Sequence, residues 1–136
     1  MEEFIGRKYK LKSSENFDEY MKSLGIGLLS RKTATSVNPV AELILNEDGS
    51  YTFTLTTLLR VIVNTFKINE EFVEERADGE KVNSVVTLEG NKLIQTQVDK
   101  NGRKSVHVRE FTPESLTVTS TVDGWDGKCI RIYELI

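Results

Sequence analysis

Two stretches of the chain set charged, aromatic and heterocyclic side chains two residues apart, the spacing that puts them on one face of a strand. Near the end, Cys129, Arg131, Tyr133 and Leu135 share a face, with Ile130, Ile132 and Glu134 on the other. Earlier, Ser105, His107, Arg109 and Phe111 alternate with Lys104, Val106, Val108 and Glu110. Ordinary core logic turns the isoleucines inward and Arg131 out, and periodicity alone does not choose. With the arginine faces inward, the fold encloses two permanent cations and a phenol, which demand an anionic partner or ordered water.

Other chemistry is sparse. With one His and one Cys, the chain lacks paired metal-ligand spacing, and it has no nucleophile elbow or Gly-rich phosphate loop. Ser105 beside His107 is too common a pairing to mark a catalytic dyad. Cys129 reads as a small inward apolar residue, and Trp125 as a loop residue without a site role. The expectation is a non-enzyme that uses neither cofactor nor metal.

The 136 residues fit one domain spanning 1–136, and 38% hydrophobic with 29% charged residues is a globular composition. Eighteen basic against 21 acidic residues give a formal charge of -3, so no global feature recommends nucleic acid. No run approaches the roughly 18 apolar residues that span a bilayer. The first ten residues lack the apolar stretch of a signal peptide, and the single Cys forms no intrachain disulfide; together these set the expectation of a cytoplasmic protein.

Elements that could position the two arginine faces follow from the turns. Asp48 with Gly49, Asp78 with Gly79, Gly90 with Asn91, Asn101 with Gly102, a corner from Thr112 to Ser115 and a loop from Asp123 to Gly127 punctuate short β-rich segments. Strands are expected at Lys8–Lys12, Val40–Leu45, Tyr51–Thr57, Val61–Ile68, Glu71–Arg76, Val82–Glu89, Lys92–Val98, Lys104–Phe111, Leu116–Val122 and Cys129–Leu135. Between the first two, Asn16 and Glu19 read as a capping box opening a helix that carries Phe17, Tyr20, Met21 and Leu24. Gly25 and Gly27 end it, and a second helix from Leu28 to Thr35 stops before Pro39. Ten short antiparallel strands dispose of their edges most completely by closing into a barrel, wide enough for an interior cavity, with the helices capping one mouth. A two-sheet sandwich is the alternative.

Tyr9 to Leu11 followed by Asn16 to Gly25 resembles the amino-terminal signature of the cytoplasmic fatty acid-binding proteins, members of the intracellular lipid-binding family within the calycins. The likeness continues through Arg31 and Lys32, Pro39, Phe66 with Lys67, Phe72 with Glu74, Asp78 with Gly79, Val86 to Leu88, Val108 to Glu110, and Arg131 with Tyr133. It implies an all-β, ten-stranded antiparallel β-clam with a helix-turn-helix lid and one long-chain lipid anion inside. It further implies that Arg131, Tyr133 and Arg109 hold the ligand carboxylate. Phe17, Met21, Pro39, Leu59, Ala77, Asp78 and Val118 would line the cavity or portal. Lys22, Arg31 and Lys32 would meet anionic membranes or a nuclear import receptor. Departures include Tyr9 where many members have Trp, Leu59 for a portal Phe, Ala41 for a hydroxyl residue, and His107 where a cavity Leu is common.

The implied function is a monomeric carrier of long-chain fatty acids in the cytoplasm, with nuclear entry through that basic patch. A retinoic acid carrier is the alternative, since the same Arg and Tyr grip serves both acids in this family. A membrane-stacking role is disfavoured by the acidic charge. A tail of about 14 methylenes at about 0.8 kcal/mol each offers on the order of 11 kcal/mol gross, against roughly 1.5 to 3 kcal/mol for a charge-assisted hydrogen bond. The tail therefore sets affinity and the head sets selectivity. His107 shares the face of Arg109, so an inward Arg109 requires an inward, neutral His107.

Overall fold

The hairpin turns at Asp48–Gly49 and Asn101–Gly102 form where Asp or Asn precedes Gly, since the reversal needs a residue with positive φ. Gly102 has φ of +78°, and the Asp99 carboxylate accepts from the Asn101 and Arg103 amides to close that turn. The computed structural model describes residues 1–76 and 79–136. Its order is β1 (Lys8–Glu15), α1 (Phe17–Ser23), α2 (Leu28–Thr35), then β2 (Val40–Leu45), β3 (Tyr51–Thr56), β4 (Val61–Phe66), β5 (Phe72–Glu75), β6 (Lys81–Glu89), β7 (Lys92–Val98), β8 (Lys104–Phe111), β9 (Ser115–Val122) and β10 (Cys129–Leu135). A short 3-10 turn at Glu2–Phe4 precedes them.

All ten strands join one antiparallel sheet in the order β4-β3-β2-β1-β10-β9-β8-β7-β6-β5. The sheet curls into a nearly closed barrel. Closure is less complete than edge disposal predicts: among the described residues β4 and β5 are not hydrogen-bonded to each other and remain edges. β1 is longer than expected because a bulge between Leu11 and Ser13 lets it continue along β10 to Glu15 after leaving β2. The capping box does not form. Asn16 sits in the left-handed region at φ 61°, makes no side-chain cap bond, and donates from Nδ2 to the Lys128 carbonyl, so it ties the lid's start to the root of β10.

Two apolar clusters bracket the interior. At one end Phe4, from the 3-10 turn, stacks on Phe111 at 5.9 Å between ring centres, Tyr9 meets Phe111 edge-on at 6.0 Å, and Leu43, Leu93 and Leu116 complete the plug. Under the helices, Tyr20, Met21, Ile26, Val122 and Cys129 form a smaller cluster with Trp125 packed against it. Trp125 lies 5.7 Å from the Tyr20 ring and requires glycine at 127, where a Cβ would come within 2.5 Å of the indole.

Candidate functional site

On β8 and β10 the more polar face is the inner one. Ser105, Phe111, Cys129 and Tyr133 are buried, whereas Ile132 is 37% exposed, which rejects the assignment that turns the isoleucines inward. β7 repeats the inversion: Leu93, Gln95 and Gln97 are buried, and Ile94, Thr96 and Val98 alternate with them on the outer face. Such a barrel interior needs space and polar partners, and it has both. A cavity of about 550 Å³ opens between the two clusters, within the roughly 300–1,000 Å³ range of small-molecule sites. Phe17, Met21, Pro39, Leu59, His107, Arg109, Val118, Arg131 and Tyr133 all line it. Ala77 and Asp78 lie outside the described residues.

The two arginines are held differently. The Arg109 Nη1 donates to Gln95 Oε1 at 2.7 Å, and its guanidinium lies 4.7 Å from the centre of the Phe53 ring. Burial lowers its pKa, opposed first by the charge of Glu74 and then by Tyr133 and Tyr20. Arg131 sits 3.8 Å above the Phe17 ring of the lid and donates from Nε to Ser14 Oγ at 2.8 Å. Among the described residues neither arginine makes an ion pair, so both keep donors for an anion. The Tyr133 phenol is raised by burial and lowered by both cations, Arg131 first, which places it within reach of each field. Cys129 is pushed up to about 11 by burial and stays an inert thiol.

His107 faces the cavity. Its Nδ1 lies 2.7 Å from Ser120 Oγ and its Nε2 lies 2.8 Å from Gln97 Oε1. Because Gln97 donates from Nε2 to Glu74, its oxygen must accept, which puts the imidazole proton on Nε2 and makes Ser120 the donor to Nδ1. Burial, then Arg109 and Arg76, push its pKa down to about 3, so it is neutral at pH 7. Sequence reasoning missed Glu74, Gln95, Gln97, Ser84 and Ser120 as one network, because they come from separate strands of the run β5 to β9 and only the strand register brings them together.

The lid's basic patch is smaller than expected. Lys22 and Lys32 are exposed, but Arg31 is not a free solvated cation: it donates from Nε to Asp18 Oδ1 at 3.0 Å and from Nη1 to the Ile26 carbonyl at 2.6 Å, pinning α2 to α1. Leu28 and Leu29 on α2, and Leu58 and Leu59 on the β3–β4 turn, are exposed beside it.

A lidded barrel with an inner face of cations and amides around an apolar cavity is the architecture of a carrier of amphipathic small molecules. The chain belongs to the lipocalin / cytosolic fatty-acid binding protein family, whose pattern it matches over residues 6–134; that family consists of lipid carriers, not enzymes. It is 47% identical to a fatty acid-binding protein of Tyrophagus putrescentiae, over 96% of each chain, and 40% identical to cellular retinoic acid-binding protein 1 of Takifugu rubripes, over 98% of each. Among solved structures it is similar to the fatty acid-binding protein from brain tissue of Drosophila melanogaster (46% identity, TM-score 0.89, 96% of this chain and 98% of that one). It is also similar to the Schistosoma mansoni fatty acid binding protein in complex with arachidonic acid (36% identity, TM-score 0.90, 100% and 98%).

Proposed function

We propose that this chain binds long-chain fatty acids one to one and carries them through the cytoplasm as a monomer, with the carboxylate held by Arg131, Tyr133 and Arg109. The observation that carries the reading is the inward face of β8 and β10, which brings a cavity-facing phenol and two guanidinium groups that lack ion-pair partners among the described residues into an apolar cavity. The relatives named for fatty acid binding, and the arachidonic acid complex among them, support the ligand class. The grip would orient the ligand and favour an acid over an ester or alcohol, while burial of the tail supplies most of the affinity. The likeness to a retinoic acid carrier supports a second reading with the same grip and a stiffer tail. Titration with a fluorescent fatty acid and competition with oleate or retinoic acid separates the two: oleate displacement supports the first, and tight retinoic acid binding without oleate displacement supports the second.

Release would occur by contact of the lid with an anionic membrane, Lys22 and Lys32 supplying charge and Leu28, Leu29, Leu58 and Leu59 the apolar contact. The same cations are the natural contact for a nuclear import receptor. Transfer to anionic vesicles should outpace transfer to neutral ones and rise with vesicle concentration, and Lys22→Gln with Lys32→Gln should remove the preference for charge. A transfer rate independent of vesicle concentration means release into water instead.

A further inference from the structure

The wall formed by β5 to β9 carries polar side chains that the carboxylate grip does not use. Its centre is Glu74, only 8% exposed, on the inner face of β5. One oxygen of Glu74, Oε1, accepts three hydrogen bonds, from Ser84 Oγ at 2.5 Å, Gln95 Nε2 at 2.5 Å and Gln97 Nε2 at 2.6 Å. Among the described residues Oε2 accepts none, and no occluded polar side-chain atom lacks a partner, so Oε2 must touch accessible space. Since Glu74 lines the cavity, that space is the cavity itself.

The neighbours lock this arrangement. His107 donates to Gln97 Oε1 and accepts from Ser120, which fixes the Gln97 amide with its nitrogen toward Glu74. Arg109 donates to Gln95 Oε1, which fixes the second amide the same way. The wall therefore offers the cavity a carboxylate oxygen that has no donor of its own among the described residues. A plain methylene tail laid against it would strip water from a carboxylate and return nothing. A hydroxyl on the tail would donate to Oε2 in a charge-assisted bond.

We propose that Glu74 Oε2, positioned by Gln95, Gln97 and Ser84, is a second polar subsite that recognises a hydroxyl group along the chain of a lipid acid, with His107 as the residue that orients Gln97. This rests on the lipid-acid reading of the cavity and adds a substrate class to it: monohydroxylated long-chain acids. The neutrality of His107 supports it, because no imidazolium competes for the carboxylate.

The test is a competition series with octadecanoic acid and its hydroxy, keto and methyl-ether derivatives, the substituent stepped along the chain. At the carbon that meets Glu74 the hydroxy acid should bind about tenfold more tightly than the ketone or ether at that carbon, since only the alcohol donates. In Glu74→Gln the glutamine oxygen takes the place of Oε1 and its NH₂ faces the cavity, so the order should invert in favour of the ketone. In His107→Leu the freed Gln97 amide should shrink the ratio toward one. Each readout compares ligands in the same protein, so a general loss of stability cancels. Octadecanoic acid failing to bind wild type would overturn the carrier reading. Its binding normally, with alcohol, ketone and ether equal at every carbon, would overturn the Glu74 subsite alone.

Discussion

The plugged end of the barrel and the lidded end are built from the same alternating strands and arrive at opposite solutions. At the plug, Phe4, Tyr9, Leu43, Leu93, Phe111 and Leu116 are at most 4% exposed and interlock as a conventional core. At the lid, α1 and α2 share one small cluster, Leu29 is 80% exposed and Leu58 fully so. The lesson is a division of labour: buried contacts are concentrated at the plug, and the lidded end carries few and opens at low cost.

Truncation at the plug breaks that comparison most strongly. Phe111→Ala should cost about 3–5 kcal/mol in urea unfolding, whereas Leu29→Ala on the lid should stay within about 0.5 kcal/mol; similar losses at both ends would erase the distinction. Gly127→Ala probes the packing of the β9–β10 loop against the lid. The added Cβ collides with Trp125, so a loss of about 1–3 kcal/mol and a shifted indole emission are expected. An unchanged emission spectrum would show that the loop absorbs the methyl group without moving the ring.

Between the two ends lies His107, whose folded pKa of about 3 is below the 6.5 of a free imidazole. The unfolded chain then binds a proton that the folded chain refuses, so its contribution to stability is fully present above pH 6.5 and is lost as pH falls toward 3. The slope is up to about 1.4 kcal/mol per pH unit. Comparing wild type with His107→Leu by urea unfolding between pH 7 and 4 isolates this contribution. The stability difference between the two proteins should move in the variant's favour as pH falls, and a pH-independent difference would place His107 in contact with solvent.

The hairpin rhythm made the fold legible, because each Asp-Gly or Asn-Gly turn left few choices for the strands between them, and β2, β7, β8 and β10 begin and end where expected. The face of each strand was less legible. Arg131 and Ile132 are neighbours with opposite preferences, and composition votes for the wrong one because a ligand cavity inverts the usual pattern. The Asn16 cap failed for a related reason: the local rule was overridden by a partner 112 residues away, the Lys128 carbonyl. Arg31 looked like a surface cation because its two acceptors, Asp18 and the Ile26 carbonyl, are supplied by the packing of α2 on α1. The Glu74 network could not be read at all before register put Gln95 opposite His107 and Ser120 beside it.

The central claim is that the inward Arg131 and Tyr133 recognise a carboxylate, and calorimetric titration of one fatty acid and its matching alcohol tests it most directly. Arg131→Leu and Tyr133→Phe should each weaken acid binding about tenfold or more while changing alcohol binding little, because a charge-assisted contact is lost only where the ligand carries charge. Equal losses for acid and alcohol would contradict the account and leave the two residues as part of the cavity wall alone.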